Sequence, residues 1–137
     1  MLMETMTAGI SATVMQIVTN NPDICWSPDM PYGVVHVEGS PIDVLDRTEE
    51  LLQENWKLRS TPLPPNLPLM RGPYRSLVIE ESEKQYDSVG IVAIEKARTR
   101  YVMERQKFCH PEGPDFAAID RTMLQRTLRD ISLLDNA

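Results

Sequence analysis

Ser76-Leu77-Val78-Ile79-Glu80 sets three large apolar side chains in a row. Neighbouring side chains of a strand point to opposite faces, so an apolar run without a polar break implies burial on both. The stretch is therefore predicted to be a central strand with helices on either side. Upstream of it, the residues between Glu54 and Glu80 include no carboxylate. They do include Lys57, Arg59, Arg71 and Arg75, together with Pro62, Pro64, Pro65, Pro68 and Pro73. Proline removes backbone donors and fixes φ, so this segment reads as a shaped, basic loop rather than helix or interior strand.

Working further outward, Ser40 is a favoured helix cap and Pro41 a favoured first helical residue. A helix is predicted from Pro41 to about Trp56, with Ile42, Leu45, Leu52 and Trp56 as its apolar stripe. Before it, Val34–Val37 reads as a short strand. Thr13–Thr19 reads as another, ending at the turn signal Asn20-Asn21-Pro22. On the other side, Asp87-Ser88 caps a helix predicted to reach about Phe108, with Ile91, Ile94, Ala97 and Tyr101 inward and Arg100 and Glu104 on its exposed side. A last helix from about Asp115 to Leu134 places Phe116, Ile119, Met123, Leu124, Leu128, Ile131 and Leu134 on one broad face.

This order predicts an α/β fold: a small, mainly parallel sheet of three or four strands, with flanking helices and an added C-terminal helix. Residues 1–12 read as a flexible N-terminus and 13–110 as the α/β domain. Residues 111–137 read as a helical extension, packed either on that domain or on a partner subunit. With 137 residues, 42% of them apolar, the chain can bury one core without disulfides or metals.

The formal net charge of −6 argues against nucleic acid as a partner, since duplex binding draws on clustered Lys and Arg. The first twelve residues have neither the basic start nor the apolar core of a secretory signal. The uncharged run from Thr5 to Pro22 is too rich in Thr, Ser, Gln and Asn for a membrane span. Cys25 and Cys109, in no metal-type spacing, fit a reducing cytoplasm.

Candidate ligand-binding residues gather at three places. Thr19, Asn20 and Asn21 stand at a strand end, where open α/β sheets bind ligands; the alternative is that the two amides bond their own turn. Ser40 either caps its helix or marks an anion site at that helix start. Arg59, Ser60, Thr61, Arg71, Tyr74 and Arg75 line the basic loop, which either grips an anion or is a solvated connection. Arg75, leading into the central strand, ranks first. His36 and His110 show no metal or triad pattern, the six glycines never cluster into a phosphate loop, and adjacent Cys109 and His110 do not form a facing pair. No cofactor or metal is expected from these patterns, and they assign no catalytic residue.

The run Lys57 to Leu77, K-L-R-S-T-P-L-P-P-N-L-P-L-M-R-G-P-Y-R-S-L, resembles the central signature of the GrdX family, and Thr19-Asn20-Asn21-Pro22 resembles its N-terminal marker. The likeness extends from about Val14 to Glu104. It differs at Thr61, where the family has a His, and at Pro65-Asn66, where it has Gly-Ser. The resemblance implies a setting beside the glycine, sarcosine and betaine reductase systems of anaerobic bacteria, without a mechanism. The expected function is an accessory or regulatory, non-catalytic cytoplasmic protein that binds a small anion or a reductase component. The alternative is a small enzyme acting on a carboxylate or phosphorylated substrate, with the arginines neutralising charge and Ser60 or Thr61 near the chemistry. A homodimer through 114–134 is a further expectation.

Overall fold

The computed structural model describes residues 14–25, 32–64, 72–105 and 114–135. Strand β1 (Met15–Thr19) is followed by a one-turn helix, α1 (Pro22–Cys25), then β2 (Gly33–His36) and helix α2 (Pro41–Leu51). Strands β3 (Trp56–Leu58) and β4 (Ser76–Glu81) come next, followed by helices α3 (Ser88–Arg105) and α4 (Pro114–Asp135). The expected flexible N-terminus, Arg71, Cys109 and His110 lie outside the described residues.

The four strands form one sheet in the order β2-β1-β4-β3. The expectation of a mainly parallel sheet is wrong. β1 and β2 are parallel, but β1 pairs antiparallel with β4, and so does β3. The apolar run in β4 does mark an inner strand, with Leu77, Val78 and Ile79 fully buried. Burial on both faces, however, follows from helices covering both faces, and it says nothing about strand direction.

What reverses the direction is an early end to α2. The helix stops at Leu51, Asn55 takes a positive φ of 68°, and the chain turns directly into β3 instead of reaching Trp56 as helix. Lys57 and Leu58, read as the start of the loop, are therefore edge strand. The chain then returns as β4, antiparallel to β3.

Opposed residues share a face, so the register sorts the core. Val18 and Leu77 face α2 and α3 with Val44, Leu45, Leu52, Ile94 and Ala97. Ile17 and Val78 face the other way, against Ile24, Leu124 and Ile131. α4 thus packs on the sheet, and its inward face is rotated from the one expected. Ala117, Asp120, Leu124 and Ile131 are buried, whereas Ile119 and Leu134 are exposed.

Two capping devices set the helix starts. Ser40 and Asp43 form a reciprocal capping box on α2. Asp87 accepts the Gly90 amide at 3.0 Å to start α3, and its second carboxylate oxygen accepts the Leu58 amide of β3 at 2.8 Å. Arg98 joins the two helices, donating to Asp46 at 2.8 Å and Glu49 at 2.6 Å. Among the described residues no helix is long and apolar enough to cross a membrane.

Candidate functional site

The register places Thr19 directly opposite Ser76 on the face that α4 covers. Their hydroxyls lie 2.7 Å apart. Asp120 of α4 closes the group: its Oδ2 accepts from Ser76 Oγ at 2.5 Å and from Asn21 Nδ2 at 3.1 Å. Thr19 Oγ1 accepts the Asn21 amide at 3.0 Å, so its proton runs toward Ser76, whose own proton runs toward the carboxylate. The result is a chain of oriented hydroxyls ending on a buried acid.

The two asparagines tie this group to its surroundings. Asn21 donates to the Ala117 carbonyl at 2.9 Å, and its Oδ1 accepts the Asp23 amide at 3.0 Å. Asn20 donates to the Gly39 and Pro73 carbonyls, both at 2.8 Å, and accepts the Arg75 amide at 2.9 Å. One side chain therefore holds the exit of β1, the approach to α2 and the approach to β4 together. Asn21 bonds its own turn as well as α4, while Asn20 bonds distant backbone.

Arg75 is 6% exposed. Its Nε donates to the Pro62 carbonyl at 3.1 Å and one terminal nitrogen to the Thr61 carbonyl at 2.6 Å. Carbonyls satisfy donors without neutralising charge. Burial lowers the Arg75 pKa, with Tyr101 and Asp120 opposing that effect. Burial likewise raises the Asp120 carboxyl, against hydrogen bonds from Ser76 and Asn21 and the charge of Arg75. It pushes the Tyr101 hydroxyl up to about 12, with Arg75 opposing and Asp120 adding. Two buried polar atoms here have no hydrogen-bond partner among the described residues: Asp120 Oδ1 and the Tyr101 hydroxyl.

The remaining predicted residues do other things. Arg59 pairs with Glu80 and, at 3.1 Å, with Asp135, while Lys57 lies 3.4 Å from Glu80. Glu80 is buried, so the apparent acid-free character of the segment is offset by its partner strand. Ser60 Oγ accepts the Val78 amide at 2.9 Å, and Thr61 Oγ1 donates to the Leu63 carbonyl at 3.3 Å. Ser40 is occupied by its capping box, so the Asp43 carboxylate already stands at that helix start. Tyr74 is half-buried beside Arg75. Thr19, Asn20, Asn21, Arg75 and the Thr61 carbonyl thus converge at one end of the sheet; Arg59 and Ser60 belong to its β3 edge.

A cavity of about 670 Å³ opens at the opposite end of β4, lined by Lys57, Glu80, Glu81, Lys84, Asp87 and Val89 among others. None of the predicted ligand residues lines it. Among the described residues, no group of three His, Cys, Asp or Glu side chains could hold a metal ion. Sequence reading missed Ser76 and Asp120. The available signal was Asp120 standing three residues after Ala117 and four before Leu124, an acid within the inward stripe of a helix.

The family model for GrdX-like protein matches residues 16–129. The chain belongs to the GrdX-like family. Its match runs well past Glu104, so most of α4, with Asp120, falls within the GrdX-like region. No curated protein and no solved structure matches this chain.

Proposed function

We propose that this GrdX-like protein is an accessory or regulatory, non-catalytic cytoplasmic protein that binds a small anionic metabolite at the sheet end built by Thr19, Asn20, Asn21 and Arg75. The observation that carries the reading is the Arg75 guanidinium: buried, fixed by two carbonyls, and without a carboxylate partner among the described residues. A buried cation is costly until an anion reaches it, so a ligand carboxylate or phosphate would gain more here than at a solvated arginine. Arg59 and Lys57 are weaker candidates because Glu80 already holds them. The setting implied by the sequence resemblance is glycine, sarcosine or betaine reduction, with a reductase component as a second partner. A homodimer would use the outer face of α4, where Ile119, Leu133 and Leu134 are exposed.

Titration calorimetry with acetate and with phosphate, at low and moderate salt, tests the site. Arg75→Gln is expected to weaken binding by about 1.5–3 kcal/mol, whereas Arg98→Ala on the far helices leaves it unchanged. Equal affinities for wild type and Arg75→Gln would remove the basis for the proposal.

One observation favours the enzyme reading. Asp120 is a buried carboxyl with one oxygen unpartnered among the described residues and a raised pKa, and it would serve as the general base that the sequence alone does not offer. On the binding-protein reading, the purified protein does not turn over glycine, sarcosine, betaine or acetyl phosphate. A rate above background that disappears in both Arg75→Gln and Asp120→Asn would decide for the enzyme instead.

A further inference from the structure

The outer face of α4 carries a pattern of its own. Ile119, Met123, Arg126, Asp130 and Leu133 follow one another at alternating intervals of four and three residues, the spacing of a seam between paired helices. None of them belongs to the inward stripe of Ala117, Asp120, Leu124 and Ile131. Leu133 and the adjoining Leu134 are 64% and 72% exposed.

The two ends of this seam have complementary shapes. Toward its start, Ala118, Ile119, Thr122, Met123 and Arg126 line an open groove of about 320 Å³. Toward its end, Leu133 and Leu134 project into solvent. Thr122 and Leu133 lie about 16 Å apart along the helix, so these leucines cannot reach the groove of their own chain. A second copy, turned about a twofold axis, brings each pair of leucines to the other copy's groove. The charges between the two ends fit the same operation. Arg126 and Asp130 stand one turn apart, and neither has an ion-pair partner among the described residues. With the axis midway between these two positions, Arg126 faces the partner's Asp130, and Met123 faces the partner's Leu133. A parallel pair in register would instead set Arg126 against Arg126, which disfavours it.

We propose that α4 pairs antiparallel with α4 of a second copy of this chain, Leu133 of each copy seated in the other's groove and Arg126 of each facing the other's Asp130. This pairing gives the homodimer on α4 a register, and it does not depend on the Arg75 anion site. A stretch of one helix per copy stays below the roughly 800 Å² per partner of standard interfaces, so the pair is weak and the dilute chain is monomeric. Substitutions on the seam therefore act on assembly and leave the fold of the dilute monomer as it is.

Sedimentation velocity over a concentration series, at low and moderate salt, tests the pairing. Wild type is expected to move from monomer toward dimer as concentration rises. Arg126→Asp sets carboxylate against carboxylate, and Asp130→Arg sets guanidinium against guanidinium, so each variant alone should weaken the dimer by at least about tenfold. An equimolar mixture of the two should pair again, because every contact then joins opposite charges. Leu133→Ser should weaken the dimer by a similar factor by leaving the groove unfilled, and circular dichroism checks that each variant is folded. A dimer that survives all three substitutions unchanged uses another face, which overturns the register while a homodimer stands. Single variants that are monomeric and do not pair when mixed overturn the register as well. If wild type stays monomeric at every concentration, the homodimer and its register both fall, while calorimetry at Arg75 decides the anion reading separately.

Discussion

Asp120 occupies a position between Ala117 and Leu124 where an apolar side chain would cost nothing to bury. Because burial raises its pKa above the unfolded value, the sign of its pH dependence is fixed. Its favourable contribution is fully present below the unfolded pKa of about 3.9 and is lost as pH rises through the raised folded pKa. Urea unfolding of wild type and Asp120→Asn at about pH 7 and about pH 4 should therefore show wild type gaining on the variant at the acid end. A constant difference would mean that the carboxyl titrates alike folded and unfolded. At this scale the sequence marked Thr19, Asn20, Asn21 and Arg75, because an Asn-Asn turn and an arginine in an acid-free, proline-rich loop stand out locally. Ser76 and Asp120 stayed hidden, since a serine opening a strand and an aspartate in a helix look ordinary until the register brings them within 2.5 Å.

At the scale of elements, one carboxylate joins two of them. Asp87 starts α3 through the Gly90 amide and holds the edge strand β3 through the Leu58 amide. A Cβ on Gly90 would stand 2.3 Å from Asp87 Oδ2, so alanine there must displace the same carboxylate. Asp87→Ala is expected to cost about 2 kcal/mol, Gly90→Ala a similar amount, and the double variant clearly less than their sum. Additive losses in urea titrations would mean that the two residues act separately. The cap was legible as Asp87-Ser88, and the starts of α2 and β4 were legible too. β3 was not, because Trp56 continues the spacing from Leu52 and reads as one more helical turn. The turn at Asn55, a non-glycine residue with positive φ, is tertiary in origin and has no strong sequence signal.

For the molecule as a whole, both faces of the sheet depend on helices, and α4 alone supplies Leu124 and Ile131 to one of them. Leu124→Ala should cost about 2–4 kcal/mol in thermal or urea unfolding, whereas Leu133→Ser on the outer face should change stability by no more than about 0.5 kcal/mol. A large loss from Leu133→Ser would mean that its exposed face is covered, as a homodimer would require. The layered α/β plan was readable from the order of strand and helix patterns. Strand direction was not, because apolar runs report burial and leave the path of the connecting chain open. Asn21 reaches from the end of β1 to the Ala117 carbonyl, so a peripheral helix is fastened to the central strand by side chains instead of a backbone ladder. Such a fastening can let go without unravelling the sheet. Once detached, this helix of 22 residues loses the packing that stabilises it, so its amides would become exchangeable together while those of β1 stay protected. Deuterium uptake along α4 would then act as a gauge of what Asp120 is holding.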